Sequence, residues 1–223
     1  MNKPFAIFDM DGTLVDSMVY WQRLGREYLT AQGVTEGMEE VLERIKPMTM
    51  AESSALFIET FGLPGTPESV MAEMNAVMDG HYRSDIPLKP GAAAYLAALK
   101  ERGTKLCVAT ATPEPLARAC LKRLEVLEDF EFLLSCDAVG SGKDRPDVFL
   151  EAARRLGAAP AETAVFEDAM FALQTAKDAG FYTVGVWDAS GDKHWHAMTA
   201  LADETVRDWK AAADMIKMGG TAT

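Results

Sequence analysis

The sequence predicts an α/β fold: a Rossmann-like parallel β-sheet core flanked by helices, with an inserted all-helical cap domain. Three observations carry that reading. Short apolar runs rich in β-branched and aromatic residues alternate with longer helical patterns. The runs are continuously apolar, as strands buried on both faces require. The alternation stops once, between Asp16 and about Ser84, where only helical patterns occur.

The first strand is Phe5–Phe8, which runs directly into Asp9. The helical block follows, with patterns at Trp21–Ala31, Glu36–Ile45, Ala51–Phe61 and Pro67–Tyr82. Its borders are Val15–Ser17 and the stretch DIPLKPG, Asp85–Gly91, which would give two chain crossings and a hinge pair. The expected domains are therefore residues 1–15 with 89–223 as the catalytic core and 16–88 as the cap. Beyond the second crossing, a helix is expected over Gly91–Arg102 after Pro90, then a strand at Leu106–Ala109. The alternation continues with a helix at Pro113–Leu127, a strand at Phe132–Ser135 and a helix at Pro146–Leu156. A strand at Ala164–Phe166, a helix at Ala169–Ala179 stopped by Gly180, a strand at Tyr182–Trp187 and a helix at Thr205–Ile216 complete it. The closing Gly-Gly-Thr-Ala-Thr is expected to be disordered.

Composition narrows the function classes. At 223 residues, 48% hydrophobic and 25% charged, the chain has ordinary globular composition and can bury a sizeable core. No stretch approaches the roughly 18 apolar residues of a membrane helix, and the first residues lack the flanks of a signal peptide, so a cytoplasmic location is expected. Cys107, Cys120 and Cys136 are widely spaced and include no C-x-x-C pair, which argues for reduced, buried thiols. Acidic residues outnumber basic ones 34 to 22, a formal charge of −12, so nucleic acid is excluded as a partner. The same charge disfavours an anionic ligand unless its site carries local cations. Composition leaves monomer and homodimer open.

Candidate chemistry gathers at predicted strand ends. Residues i and i+2 of a strand point to one side, so Asp9 and Asp11 project together where the backbone turns through Gly12. Asp-Gly is also a common turn pair, but that does not explain two carboxylates behind four buried apolar residues. Two like charges this close stay ionised only at a cost unless a cation sits between them or one takes a proton, and a divalent ion is the simplest remedy. Glu167 and Asp168 supply a second acidic pair at the end of Ala164–Phe166, so three or four carboxylates converge if the two strands are neighbours. An all-oxygen set suits Mg²⁺, and the lack of nearby Cys or His disfavours zinc. Thr110, ending another strand, and Lys143, in the loop SGKDRPD, offer a hydroxyl and a point charge for an anionic ligand.

Four motifs in order, D-M-D-G-T at 9–13, V-A-T at 108–110, G-K at 142–143 and E-D at 167–168, resemble those of the haloacid dehalogenase-like hydrolases. The similarity spans nearly the whole chain and is strongest to the helical-cap branch of small phosphatases and β-phosphoglucomutase. The resemblance implies Mg²⁺-dependent phosphoryl transfer through an aspartyl-phosphate. In that scheme Asp9 is the nucleophile and Asp11 the general acid and base. Thr110 and the Ala111 N–H hold phosphoryl oxygens, and Lys143 neutralises charge. The metal falls to Asp9, the Asp11 carbonyl and Asp168, with Glu167 acting through water. Asp11 speaks against a dehalogenase. The mutase places a histidine in the first cap helix where this chain has Trp21, which favours hydrolysis of a small sugar-phosphate or phosphoglycolate-like ester; isomerase action and a non-catalytic phosphometabolite-binding module remain alternatives. Asp144, Ala169 and Ala172 stand where the family often has Pro, Ser and Gly.

Outside these motifs, Lys46 and Trp21 are expected to contact substrate from the cap, although a solvated lysine is an equally good reading of Lys46. His194-Trp195-His196 would place two imidazoles on one side if extended, yet no third ligand is near, so surface histidines around a packed tryptophan are expected. Met38, Met48, Met50, Met71, Met74 and Met78 read as cap core filler.

Overall fold

A computed structural model describes residues 2–46 and 48–218. The terminal Gly-Gly-Thr-Ala-Thr therefore lies outside the described residues. Six strands form one parallel sheet: β1 (Phe5–Phe8), β2 (Lys105–Thr110), β3 (Leu133–Ser135), β4 (Thr163–Glu167), β5 (Tyr182–Val186) and β6 (Glu204–Val206), in the order β3-β2-β1-β4-β5-β6. The strand order reverses at β1, where Phe8 is level with Val108 on one side and Phe166 on the other. Ligands of open parallel sheets bind beyond the strand ends at such a reversal. Glu204–Val206 is a strand where the sequence predicts the start of a helix. Three residues at a sheet edge are too short for a period of two to show against the helical spacing that follows.

The chain divides into two compact units, Met1–Ser17 with Ile86–Thr223, and Met18–Asp85. The second is all helical: α1 (Met18–Ala31), α2 (Met38–Ile45), α3 (Met50–Phe61) and α4 (Pro67–Ser84). Its core holds Leu24, Tyr28, Leu29, Phe57, Val70, Met74, Met78 and Tyr82. Local sequence starts two of its helices, since Thr49 with Glu52 and Thr66 with Ser69 form reciprocal capping boxes. Of the six methionines expected to fill the cap core, Met74 and Met78 are buried while Met48 is exposed.

The sheet unit adds α5 (Ala92–Glu101), α6 (Glu114–Arg123), α7 (Cys136–Val139), α8 (Asp147–Leu156), α9 (Met170–Asp178), α10 (Trp195–Leu201) and α11 (Trp209–Lys217). Ile7 and Val165 face α8 and α9, packing among Phe149, Ala152, Ala172 and Ala176. Phe8 and Phe166 point to the opposite face, stacked with centroids 4.2 Å apart and flanked by Tyr95 of α5 and Trp209 of α11. A helix at α10 replaces the extended H-W-H segment, with His194 and His196 exposed and Trp195 half-buried. Among the described residues no helix is long and apolar enough to cross a membrane.

Candidate active site

The site grows from the C-terminal ends of β1, β2 and β4. Asp9 directly follows β1, and its N–H donates to the Phe166 carbonyl at 2.9 Å, which extends the pairing with β4 by one residue. Glu167 ends β4 and Asp168 follows it. One oxygen from each of Asp9, Glu167 and Asp168 lies within 4.8 Å of the others. Lys143, between α7 and α8, is buried and donates to Asp9 Oδ1 and, at 2.5 Å, to Glu167 Oε1.

The charge balance is uneven, with three carboxylates around one ammonium. Burial would lower the Lys143 pKa, but Asp9 and Glu167 outweigh it and hold the ammonium above the ordinary lysine range. Asp9 is raised well above the usual carboxylate range, first by burial, with Lys143 opposing and Glu167, Asp168 and Asp11 reinforcing. Asp168 is pushed up to about 7, first by burial and then by Glu167 and Asp188. Excess buried negative charge with oxygen-only donors is the environment a hard divalent cation such as Mg²⁺ relieves. Cys136, one residue past β3, is close enough to feel Lys143, Asp9 and Glu167, correcting the expectation of no cysteine nearby; burial pushes its thiol up, which keeps it a poor metal ligand.

The turn after Asp9 is built around these acids. Gly12 has φ 78°, and a β-carbon there would overlap the Asp168 carboxylate. Thr13 Oγ1 donates to Asp168 Oδ1 at 3.2 Å. Asp11 sits one turn residue earlier, where Ser17 Oγ donates to its Oδ1 and Thr112 Oγ1 to its Oδ2, each at 2.7 Å. Thr110 is fully buried at the end of β2 and its hydroxyl accepts from the Thr112 N–H at 3.0 Å; Ala111, between them, is exposed.

Beside Asp168, Lys89 donates to Asp188 at 2.7 Å and to the Trp187 carbonyl at 3.1 Å. Sequence reasoning missed this pair, along with Thr13, Ser17 and Thr112. The hydroxyl repeat of Thr110-Ala111-Thr112 past a strand end was the available signal for Thr112. Lys89 and Asp188 lie about a hundred residues apart and carry no mutual pattern.

The structure thus brings Asp9, Asp11, Thr110, Ala111, Lys143, Glu167 and Asp168 to one edge of the sheet unit. Lys46 and Trp21 belong to the helical unit. There the exposed Lys46 pairs with Glu43 at 2.6 Å, and Trp21 Nε1 donates to the Tyr82 hydroxyl at 3.2 Å.

A family described as haloacid dehalogenase-like hydrolase matches residues 5–180. The chain belongs to the haloacid dehalogenase-like hydrolases. Among its relatives in this hydrolase family is hexitol phosphatase A of Escherichia coli, 31% identical over 183 residues and 81% of each chain. A phosphorylated carbohydrates phosphatase of Thermotoga maritima is 28% identical over 175 residues, 78% of this chain and 81% of the relative. The β-phosphoglucomutase of Bacillus subtilis is 29% identical over 192 residues, 81% of this chain and 82% of the relative. A crystal structure from Thermotoga maritima, provisionally named a β-phosphoglucomutase, superimposes with TM-score 0.81 at 25% identity, covering 96% of this chain and 98% of that one.

Proposed function

We propose that this hydrolase is a cytoplasmic, Mg²⁺-dependent phosphatase of a small phosphate monoester, a sugar phosphate or phosphoglycolate-like compound, working through an aspartyl-phosphate. The observation that carries the reading is Lys143 buried between Asp9 and Glu167 with Asp168 beside them. Relatives named as phosphatases of phosphorylated carbohydrates and hexitols support the substrate class. Three unpaired cysteines agree with a reducing compartment.

In this reading an Asp9 carboxylate oxygen attacks phosphorus and the P–O bond to the substrate alcohol breaks. Asp11, protonated at that moment, gives its proton to the departing oxygen. It then takes a proton from water as that water attacks the phosphorus of phospho-Asp9, releasing phosphate and restoring the carboxylate. Ser17 and Thr112 suit both roles. They donate to ionised Asp11, and a hydroxyl accepts as readily as it donates, so one contact can reverse when Asp11 gains a proton. Thr110 and the Ala111 N–H hold phosphoryl oxygens, and Lys143 balances the charge that builds on them. Asp9, Asp168 and the Asp11 carbonyl would hold Mg²⁺, with Glu167 acting on it indirectly, and the bound ion would supply charge neutralisation to the phosphoryl group. Lys46 and Trp21 are proposed to contact the organic part of the substrate.

Phosphate release from a panel of sugar phosphates and a generic aryl phosphate tests the reading. Asp9→Asn is expected to lose at least about a thousandfold in kcat, the scale of removing a nucleophile. Full activity in that variant sinks the mechanism. The similarity to β-phosphoglucomutase supplies the second reading, and β-glucose 1-phosphate separates the two: free phosphate supports hydrolysis, while glucose 6-phosphate supports isomerisation.

A further inference from the structure

Trp209 opens α11, far along the chain from every motif, yet its indole reaches the D-M-D-G-T turn. The side chain is 4% exposed, and Nε1 donates to the Thr13 carbonyl at 3.1 Å. Its ring centroid is 6.2 Å from Phe8, 5.9 Å from Phe166 and 4.8 Å from Tyr95. Phe8 immediately precedes Asp9, and Phe166 immediately precedes Glu167 and Asp168. The indole therefore packs against the last residue of each strand before its carboxylates, while its N–H holds the turn between them. The same Thr13 whose carbonyl it binds donates its hydroxyl to Asp168.

The placement of the indole is itself fixed. Asp208 caps α11 by accepting from the Lys210 and Ala211 N–H groups at 2.7 and 3.0 Å. Gly91, at φ 90°, leaves the room that a β-carbon would take from the Lys210 backbone, so α11 seats closely on the start of α5. Helix, cap and close approach together aim one N–H at one carbonyl.

We propose that Trp209 is a positioning residue for the divalent-cation site: its ring packs against Phe8 and Phe166 at the β1 and β4 ends and, through Thr13, its N–H orients the Asp168 carboxylate. The inference rests on the metal-dependent reading above. Packing alone would ask only for a large aromatic ring. The bond from Nε1 to a carbonyl inside the D-M-D-G-T turn asks for an N–H as well, and groups that orient metal ligands govern affinity even without touching the ion.

Calorimetric titration of the full-length protein with Mg²⁺ alone reads the effect directly. Trp209→Phe keeps an aromatic ring and removes the donor. Its Mg²⁺ dissociation constant is expected to rise about tenfold, within the range for outer groups of metal sites, while kcat at saturating Mg²⁺ stays within about twofold. Thr13→Val should weaken Mg²⁺ binding in the same way, and the double variant should be weakened by less than the product of the two. Should Trp209→Phe fold poorly, benzothienylalanine at 209 preserves the shape and lacks only the N–H. Wild-type Mg²⁺ affinity in a folded donor-less variant overturns the inference. If wild-type protein is an Mg²⁺-dependent phosphatase and that variant binds Mg²⁺ normally, only the positioning role falls. If wild type neither binds Mg²⁺ nor releases phosphate, the functional reading falls and the inference with it.

Discussion

Lys143 and Asp168 divide the electrostatic work of the site. Lys143 is shared by Asp9 and Glu167, which leaves Asp168 without a cation of its own beyond the more distant influence of Lys143 and Lys89. Its carboxyl is pushed up to about 7 from an ordinary value of 3.8, chiefly by burial. Without metal, the unfolded chain loses this proton first, so the group's contribution to stability is full below the unfolded value and is lost as pH rises through the folded one. The window therefore runs from about pH 4 to about pH 7. A divalent cation favours the ionised carboxylate and relieves that loss. Thermal melts with and without Mg²⁺ should show a larger gain in Tm near about pH 8 than near about pH 5. Equal gains at both would mean that the cation does not meet Asp168.

At the scale of elements, the β1 turn is the tightest fit in the site. Gly12→Ala would put a β-carbon into the Asp168 carboxylate and hold alanine at a positive φ. We expect a cost of about 1 kcal/mol from the backbone alone. Mg²⁺ affinity should fall by about tenfold or more, because the proposed metal ligand Asp168 must move. Calorimetric titration with denaturant melts checks both, and unchanged affinity would contradict the assigned closeness. Most elements were legible because each pairs a distinct pattern with a distinct stop: Phe5–Phe8 ends at Asp9, and Ala169–Ala179 ends at Gly180. The misreadings lie at the far edge of the sheet. Trp209, Ala212, Ala213 and Ile216 carry helical spacing that Thr205 happens to continue, while the Asp208 cap that starts the helix at Trp209 reads as one more polar residue. The α10 helix was hidden because an H-W-H triplet carries no period. In the site, strand-end carboxylates announce themselves by breaking an apolar run, whereas Ser17 and Trp209 make contacts that only the folded chain creates.

Across the whole molecule, the residues of the proposed chemistry fall in one of the two units. Asp9, Asp11, Thr110, Lys143, Glu167 and Asp168 all belong to the sheet unit, which the chain leaves after Ser17 and rejoins at Ile86. The outgoing and returning segments run side by side, with the Asp16 N–H donating to Pro87 O at 3.0 Å and the Lys89 N–H to Leu14 O at 2.8 Å. A few residues of Gly and Ser can therefore span 17 to 86. Replacing 18–85 in this way should leave Mg²⁺ binding within about threefold of wild type, as for sites that share no partners. Preference for a sugar phosphate over a generic aryl phosphate should fall. Loss of Mg²⁺ binding in a folded variant would show that the helical unit holds the acidic cluster together.

The central place of β1 has a consequence for the order of events during synthesis. β1 pairs with Lys105–Val108 on one side and with Thr163–Phe166 on the other, both later in the chain. Phe8 thus waits for partners that leave the ribosome much later, and long-range pairing of this kind slows folding. The strand that leads into Asp9 is made before both of its sheet partners, so a nascent chain carries Asp9 for most of its translation without Lys143, Glu167 and Asp168 beside it.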